Sequence, residues 1–479
     1  PTVSLAVDGS FVTSTSASTT DGSFSFSGVE QPGSGSTTVI YFDGSSEKGA
    51  SFNLYAGSGD LTGFNIYQNR IIVRHDNAGP ITENHLDVYD NDQDTDIKMT
   101  ANPLNVFPSH ELFVWTGDNF QAGTGNISMG DVDIDGTLTA TGTQNITVNG
   151  SWDAADGTFD SASSTVIFNS TSSGQTILTG DSDFWQLQFN GSGGEWTFQD
   201  SATTTATSAV TFGTLKQGTN NNLTFASFVI ESNGSFLKDE GTGRMIFESL
   251  RPVYINDVDG NNNLGNVYIG LSPATTTQES DLVVDSLTIN QGDVHQTAGY
   301  EIDCGDDIII YGTLDATDTG EGDDSVINIA GNWQVATSTS GVFTAANSEV
   351  IFDATTTGKS VVPGGSSFYD VTFNGSGEGW EFSSGDHDVD NDFVISQGTV
   401  TSTPGTLYIG GSWLNSGAFN ATSGTIVFDS SDGGEEINAG NSSFNIVTFD
   451  NASGGWTVTA EATSTGNWNL VSVSSFTVT

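Results

Sequence analysis

Three acidic runs hold the residues of this chain whose types and spacing could do chemistry. They are Asp87-Val88-Tyr89-Asp90-Asn91-Asp92-Gln93-Asp94-Thr95-Asp96, Asp131-Val132-Asp133-Ile134-Asp135-Gly136 and Asp386-His387-Asp388-Val389-Asp390-Asn391-Asp392. Carboxylates at alternate positions of an extended segment lie on one side of it, and several converging oxygens can hold Ca²⁺. The candidate ligands are Asp90, Asp92, Asp94 and Asp96 in the first run and Asp386, Asp388, Asp390 and Asp392 in the third, against the plainer reading of a solvated acidic loop. The second run opens like an EF-hand loop, yet position 12 counted from Asp131 is Gly142 rather than Glu, and a strand follows where a helix is needed. It is not an EF-hand.

A catalytic reading has less to stand on. Some parallel β-helices cleave acidic polysaccharides with clustered Asp, Ca²⁺ and an Arg or Lys base. The basic residues of the repetitive region here are Lys216, Lys238, Arg244, Arg251 and Lys359, none within a dense Asp/His constellation. His387 among Asp386, Asp388 and Asp390 is the nearest candidate, and one histidine is a weak signal. There is no Gly-x-Ser-x-Gly elbow, no His-Glu-x-x-His and no phosphate loop. The expectation is that the chain is not an enzyme. Asn-x-Ser/Thr tripeptides recur, with Asn190, Asn374, Asn441 and Asn451 as candidate glycan attachment sites.

The composition limits partners. Against 59 acidic residues stand 9 basic ones, a formal net charge of -50. Without Lys/Arg clusters the chain repels nucleic-acid phosphates and anionic membranes, and no apolar run is long enough for a membrane span. The charge also keeps a β-protein with exposed edges soluble. Cys304 is the single cysteine, which excludes a disulfide framework and a Cys-based metal site.

The elements that would position these groups follow from a repeated cassette. One copy reads Gly411-Ser412-Trp413, Phe419, Thr425-Ile426-Val427-Phe428, Phe444, Val447-Thr448-Phe449 and Trp456-Thr457-Val458. A second has Gly331-Asn332-Trp333, Phe343, Phe352, Phe368, Phe373 and Trp380; a third has Gly150-Ser151-Trp152, Phe159, Phe168, Phe184, Phe189 and Trp196. The step from Phe168, Phe352 or Phe428 to Phe189, Phe373 or Phe449 is about 21 residues in every copy. A long fixed period marks a solenoid. About 20 residues fit one rung of three short strands and three turns, and recurrent Phe and Val/Ile fill the stacks that such rungs create. The Trp residues read first as core fillers and second as a stripe on which sugar rings could stack. The Phe-Asn-Gly-Ser-Gly steps at 189–193 and 373–377 are either corners or hairpins.

The expected fold is all-β: a right-handed parallel β-helix of about 20-residue rungs over 121–479, preceded by a β-sandwich-like domain or cap over 1–120. Four cassette-like repeats divide the solenoid at about 150–215, 216–330, 331–410 and 411–479, the second lacking the Trp of the Gly-x-Trp motif. The polar stretches 257–264 and 315–324 are expected to leave it as loops. The last residues, Trp468 to Val478, stop inside the repeat pattern, which predicts part of a longer chain.

From Leu112-Phe113-Val114-Trp115-Thr116-Gly117-Asp118 through the Gly-x-Trp starts and the Phe-Asn-Gly-Ser-Gly steps, the chain resembles the Thr/Ser/Gly-rich repeat proteins of microbial cell surfaces. The resemblance implies a β-solenoid stalk, adhesin or surface-layer component and transfers no active residue. The expected function is an extracellular structural protein, a rigid acidic rod or self-assembling filament or layer whose partners are copies of itself. The alternative is an adhesin that binds cell-surface glycans through exposed Trp or through the N-terminal domain.

Overall fold

The computed structural model describes residues 1–249, 253–270, 274–318, 324–402 and 404–479, so Arg251 and part of the 315–324 insertion lie outside the described residues. The fold is nearly all-β, 2% helical, with a parallel β-solenoid of about 20 turns and an antiparallel N-terminal sheet. Two compact units are present: Pro1–Phe225 with Val229–Gly243, and Ala226–Phe228 with Arg244–Thr479. The division falls within the degenerate stretch 216–330.

In the first unit, β1 (Thr2–Val7) lies antiparallel between β2 (Ser10–Ser16) and β3 (Thr37–Asp43), and β3 pairs antiparallel with β4 (Ala50–Leu54). One face of this sheet, bearing Val3, Leu5, Ile40 and Phe42, is covered by irregular segments that carry Phe24, Phe26, Val29, Phe64 and Ile66. The second layer of the expected sandwich is thus not a sheet. Parallel pairing begins where β4 meets β5 (Arg70–His75), well within the 1–120 segment.

From β5 onward, within the first unit, the principal strands pair in parallel, apart from the antiparallel pair Met99–Thr100 with Asn105–Val106 and register shifts along Gln186–Phe198. Ile71, Leu112, Val132, Trp152 and Ile177 form one buried column, and Ile127, Ile146, Val166 and Leu187 form another. Ile81, Phe120, Leu138 and Phe159 form a third on a separate sheet. Strands such as Asn145–Val148 and Thr165–Phe168 alternate half-buried and buried residues, as a period-2 backbone dictates. In the second unit Ile302, Ile327, Val350, Val371, Phe393, Trp413 and Ile437 continue the same logic.

The three cassettes repeat their aromatic geometry. Phe168–Phe189, Phe352–Phe373 and Phe428–Phe449 stack with centroids 5.3, 4.9 and 5.1 Å apart. Trp152–Phe159, Trp333–Phe343 and Trp413–Phe419 meet edge-to-face at 4.9, 4.8 and 4.8 Å. Both arrangements suit the ring quadrupole. The degenerate repeat fills one core column differently, with Thr276, His295, Leu314 and Phe343.

The Phe-Asn-Gly-Ser-Gly step is a corner. Gln186–Phe198, Asp370–Phe382 and Ile446–Val458 are strands of 13 residues, each with its first half and its second half parallel to different strands of the preceding rung. Here the Trp ring folds back onto the corner. A Cβ on Gly194, Gly375 or Gly454 would lie 2.5, 2.6 or 2.2 Å from the Cη2 of Trp196, Trp380 or Trp456. Replacing Gly454 by alanine should therefore cost about 1–3 kcal/mol of stability through overpacking. An unchanged urea midpoint would show that the corner can relax.

Candidate functional site

Aspartates of the second and third acidic runs, and Asp307 outside them, join rungs. Asp131 Oδ1 accepts the backbone N–H of Ser151, Asp307 Oδ1 that of Asn332 and Asp392 Oδ1 that of Ser412, each at 2.7 Å. In all three copies the donor is the middle residue of Gly-x-Trp. The glycine allows the approach: a Cβ on Gly150 or Gly411 would lie 2.0 or 2.5 Å from the carboxylate oxygen. Asp386 likewise accepts Thr406 N–H at 2.8 Å, and Asp390 accepts Ser367 Oγ at 2.9 Å. Charged acceptors of this kind contribute more than neutral ones. Asp392→Ala is expected to lose about 1.5–3 kcal/mol, measured by chemical denaturation.

The first run folds on itself. Asp90 is buried and accepts the N–H groups of Asp92 (2.8 Å) and Ala101 (2.9 Å). Asp94 accepts Asp96 N–H at 2.9 Å, Asp96 pairs with Lys48 and accepts Gly44 N–H, and Asp92 is exposed. Burial works to raise the Asp96 carboxyl, but the Lys48 contact and the Gly44 N–H outweigh it and hold the group below the usual carboxylate range.

Of the residues in the calcium expectation, Asp90, Asp94, Asp96, Asp386, Asp390 and Asp392 hold partners of their own, while Asp92 is exposed and Asp388 faces out from its strand. Among the described residues no three His, Cys, Asp or Glu side chains come together in an arrangement able to hold a metal ion. Accordingly, millimolar Ca²⁺ should leave the thermal midpoint of the isolated chain within a degree or two, whereas occupancy at a hundred times Kd would add about 2.7 kcal/mol.

Asp388 of the third run is under electrostatic stress. Partial burial, then the neighbouring Asp390 and Asp429, push its carboxyl up to about 6. Asp429 is raised in turn by burial, Asp390 and Asp450. Asp390, Asp429 and Asp450 each follow the last residue of a paired stretch at one corner, with Gly410 on the rung between the first two, while Asp388 lies two residues earlier on its strand.

His387 does not join the acidic run. Its ring is buried against Phe382 with centroids 5.3 Å apart, and Nε2 lies 2.7 Å from Ser383 O. Alternation along the strand turns His387 inward while Asp388 faces out. The cassette Trp residues are likewise core: Trp152, Trp196, Trp333, Trp380, Trp413 and Trp456 are 0–1% exposed. They offer no stripe to a sugar. Burial pushes the Cys304 thiol up to about 12 and holds it as an inert core group.

An ion triad escaped the sequence reading because its members come from three rungs. Arg70 Nε lies 2.8 Å from Glu111, and its Nη2 lies 3.4 Å from Asp133 of the second acidic run. The guanidinium sits 4.9 Å from the Phe113 ring centre. Burial drives Glu111 up to about 7, with Arg70 opposing and Asp133 adding to the rise. The ladder pairing Arg70 with Glu111 places the group, a register no single stretch of sequence displays.

Of the sequon asparagines, Asn441 and Asn374 are exposed, Asn190 is half-buried, and Asn451 spends its Nδ2 on Asp429 O at 2.9 Å. Asn374 Oδ1 accepts Gln397 Nε2 at 3.1 Å, which leaves its own amide nitrogen directed away from that bond.

No protein-family model, no curated protein and no solved structure matches the chain. Its class is accordingly defined by architecture: a parallel β-solenoid with aromatic-stacked cassettes, rungs joined by aspartate, and an antiparallel sheet at the N-terminal side.

Proposed function

We propose that the protein is an extracellular structural protein, a stiff acidic scaffold at a cell surface that associates with copies of itself. One observation carries this reading: the side chains that recur from cassette to cassette are all engaged in building the scaffold. The Phe and Trp residues fill its core, the glycines shape its corners, and the aspartates join its rungs. Sequence is repeated where stacking needs it and varies elsewhere. The acidic balance favours a surface exposed to salt, where self-repulsion is screened over about 10 Å at 0.1 M. No helix among the described residues is long and apolar enough to cross a membrane.

Sedimentation of the purified chain over a concentration series tests the self-association. A net charge of -50 opposes contact at low salt, so larger species should appear as salt is raised. A chain that stays monomeric at high concentration and high salt, with and without Ca²⁺, would remove self-assembly from the account.

A further inference from the structure

The N-terminal sheet carries a cleft that the scaffold does not use. It encloses about 850 Å³, within the range of ligand sites, between the sheet and the two irregular segments that cover it. Its floor is apolar: Leu5 and Val7 of β1 and Ile40 of β3. Its walls are two stretches of chain. Ser23-Phe24-Ser25-Phe26-Ser27 alternates exposed Ser with half-buried Phe, as an extended strand does, and the second wall carries Leu61 and Phe64.

The walls are fixed near their ends and unpaired between. Gln31 Nε2 donates to Tyr55 Oη (2.5 Å) and Gly59 O (3.3 Å), and Tyr55 Oη donates to Gly59 O (2.6 Å). Arg74 donates to Gly63 O at 2.8 Å and stands 5.3 Å from the Phe64 ring centre. Yet among the described residues no main-chain to main-chain hydrogen bond engages Phe24–Gln31 or Asp60–Ile66. Extended backbone with free N–H and C=O groups beside an apolar floor is a template for another strand. The rim adds charge selection: Asp21, Glu30 and Asp60 line the cleft, and Arg74 behind the second wall is already paired with Asp76.

We propose that this cleft is a strand-addition site for an extended peptide of a partner, apolar at alternate positions and neutral or basic at its ends. Main-chain hydrogen bonds to Phe24–Ser27, the part of the wall before the left-handed Gly28, supply the pairing. Alternate side chains enter between the half-buried Phe24, Phe26 and Phe64 and reach Val7 at the floor, extending the irregular layer that covers the sheet. Basic ends meet Asp21, Glu30 and Asp60. The site is independent of the scaffold reading, since a chain that never self-associates would still bind the peptide.

The test uses the full chain and a fluorescent nonapeptide alternating valine with serine between terminal lysines. Saturable binding is expected, weakened at least tenfold by Phe26→Asp and at least tenfold when alternate peptide nitrogens of the probe are methylated. Hydrogen exchange on the unaltered protein reads the same event without a variant: amides of 24–27 should slow when the peptide is added. No saturable binding up to millimolar peptide, equal binding of the methylated probe, or no added protection at 24–27 would each overturn the proposal. Protection of those amides by a neutral oligosaccharide such as cellohexaose, with none from the peptide, would overturn it in favour of a glycan site.

Discussion

Replacing Trp413 by alanine is expected to destabilise the second unit by about 3–5 kcal/mol, the range for truncating a buried aromatic side chain. Trp413 is 1% exposed and stacks on Phe393 with centroids 4.5 Å apart and planes at 8°. It also meets Phe419 at 4.8 Å and Phe444 at 5.3 Å, so its loss takes a ring contact from each of three aromatic neighbours. A rigid parallel ladder on both sides, Phe393 below and Ile437 above, limits how far the rungs can collapse into the void. Stability in a solenoid is a sum of rung and nearest-neighbour contributions. Hydrogen exchange should therefore rise first in the strands Phe393–Ser402, Trp413–Asn415 and Gly433–Asn438. Val427→Ala on the outward side of a neighbouring strand should change stability by less than about 1 kcal/mol. Equal effects of the two substitutions would mean that the Trp column is not the core of the cassette.

The second large effect is with pH. Glu111 has its carboxyl raised from 4.5 to about 7 by burial, with Arg70 opposing. Burial and then neighbouring carboxylates raise Asp388 and Asp306, and burial comes first for Asp370 and Asp429 as well. A carboxyl with a raised folded pKa binds protons more tightly in the folded than in the unfolded chain. Its contribution to stability is full below the unfolded value and is lost as pH rises through the folded one. For Glu111 the window is 4.5 to about 7, and about 1–2 kcal/mol is expected after allowing for solvent screening. His295 acts in the opposite direction. Burial lowers it from 6.5 to about 4, so acid favours the unfolded chain across that window. Thermal stability should therefore rise as pH falls from 8 to between 5 and 6, then decline towards pH 4. Glu111→Gln should flatten the part of the rise near neutrality. A midpoint that falls steadily from pH 8 to 5 would contradict these assignments.

Much of the solenoid was legible because in-register stacking writes itself into sequence. A residue above Phe168 must recur one rung later, and Phe189 does. The same constraint made the period readable at Phe352–Phe373 and Phe428–Phe449. The Phe-Asn-Gly-Ser-Gly step stayed ambiguous because Asn-Gly suits a hairpin as well as a corner. What decides it is Trp196, Trp380 or Trp456 resting on a glycine, a contact set by three-dimensional closure. The parallel start at β5 was hidden for a similar reason, since β4 alternates no differently from a strand with antiparallel partners on both sides. The acidic runs looked like ligand sets because alternating carboxylates share a side. Their role lay across rungs, in Asp131 with Ser151 and Asp392 with Ser412, and only the rung length connects those residues. The peptide cleft had no sequence signal beyond the alternation of Ser23-Phe24-Ser25-Phe26-Ser27.

Electron microscopy of the native material tests the scaffold account most directly. Ordered filaments or a lattice at the cell surface, with the chain as their repeating subunit, are the predicted result. Isolated, unassociated particles in the native material would contradict it, and would leave the N-terminal cleft as the site from which a function must be sought.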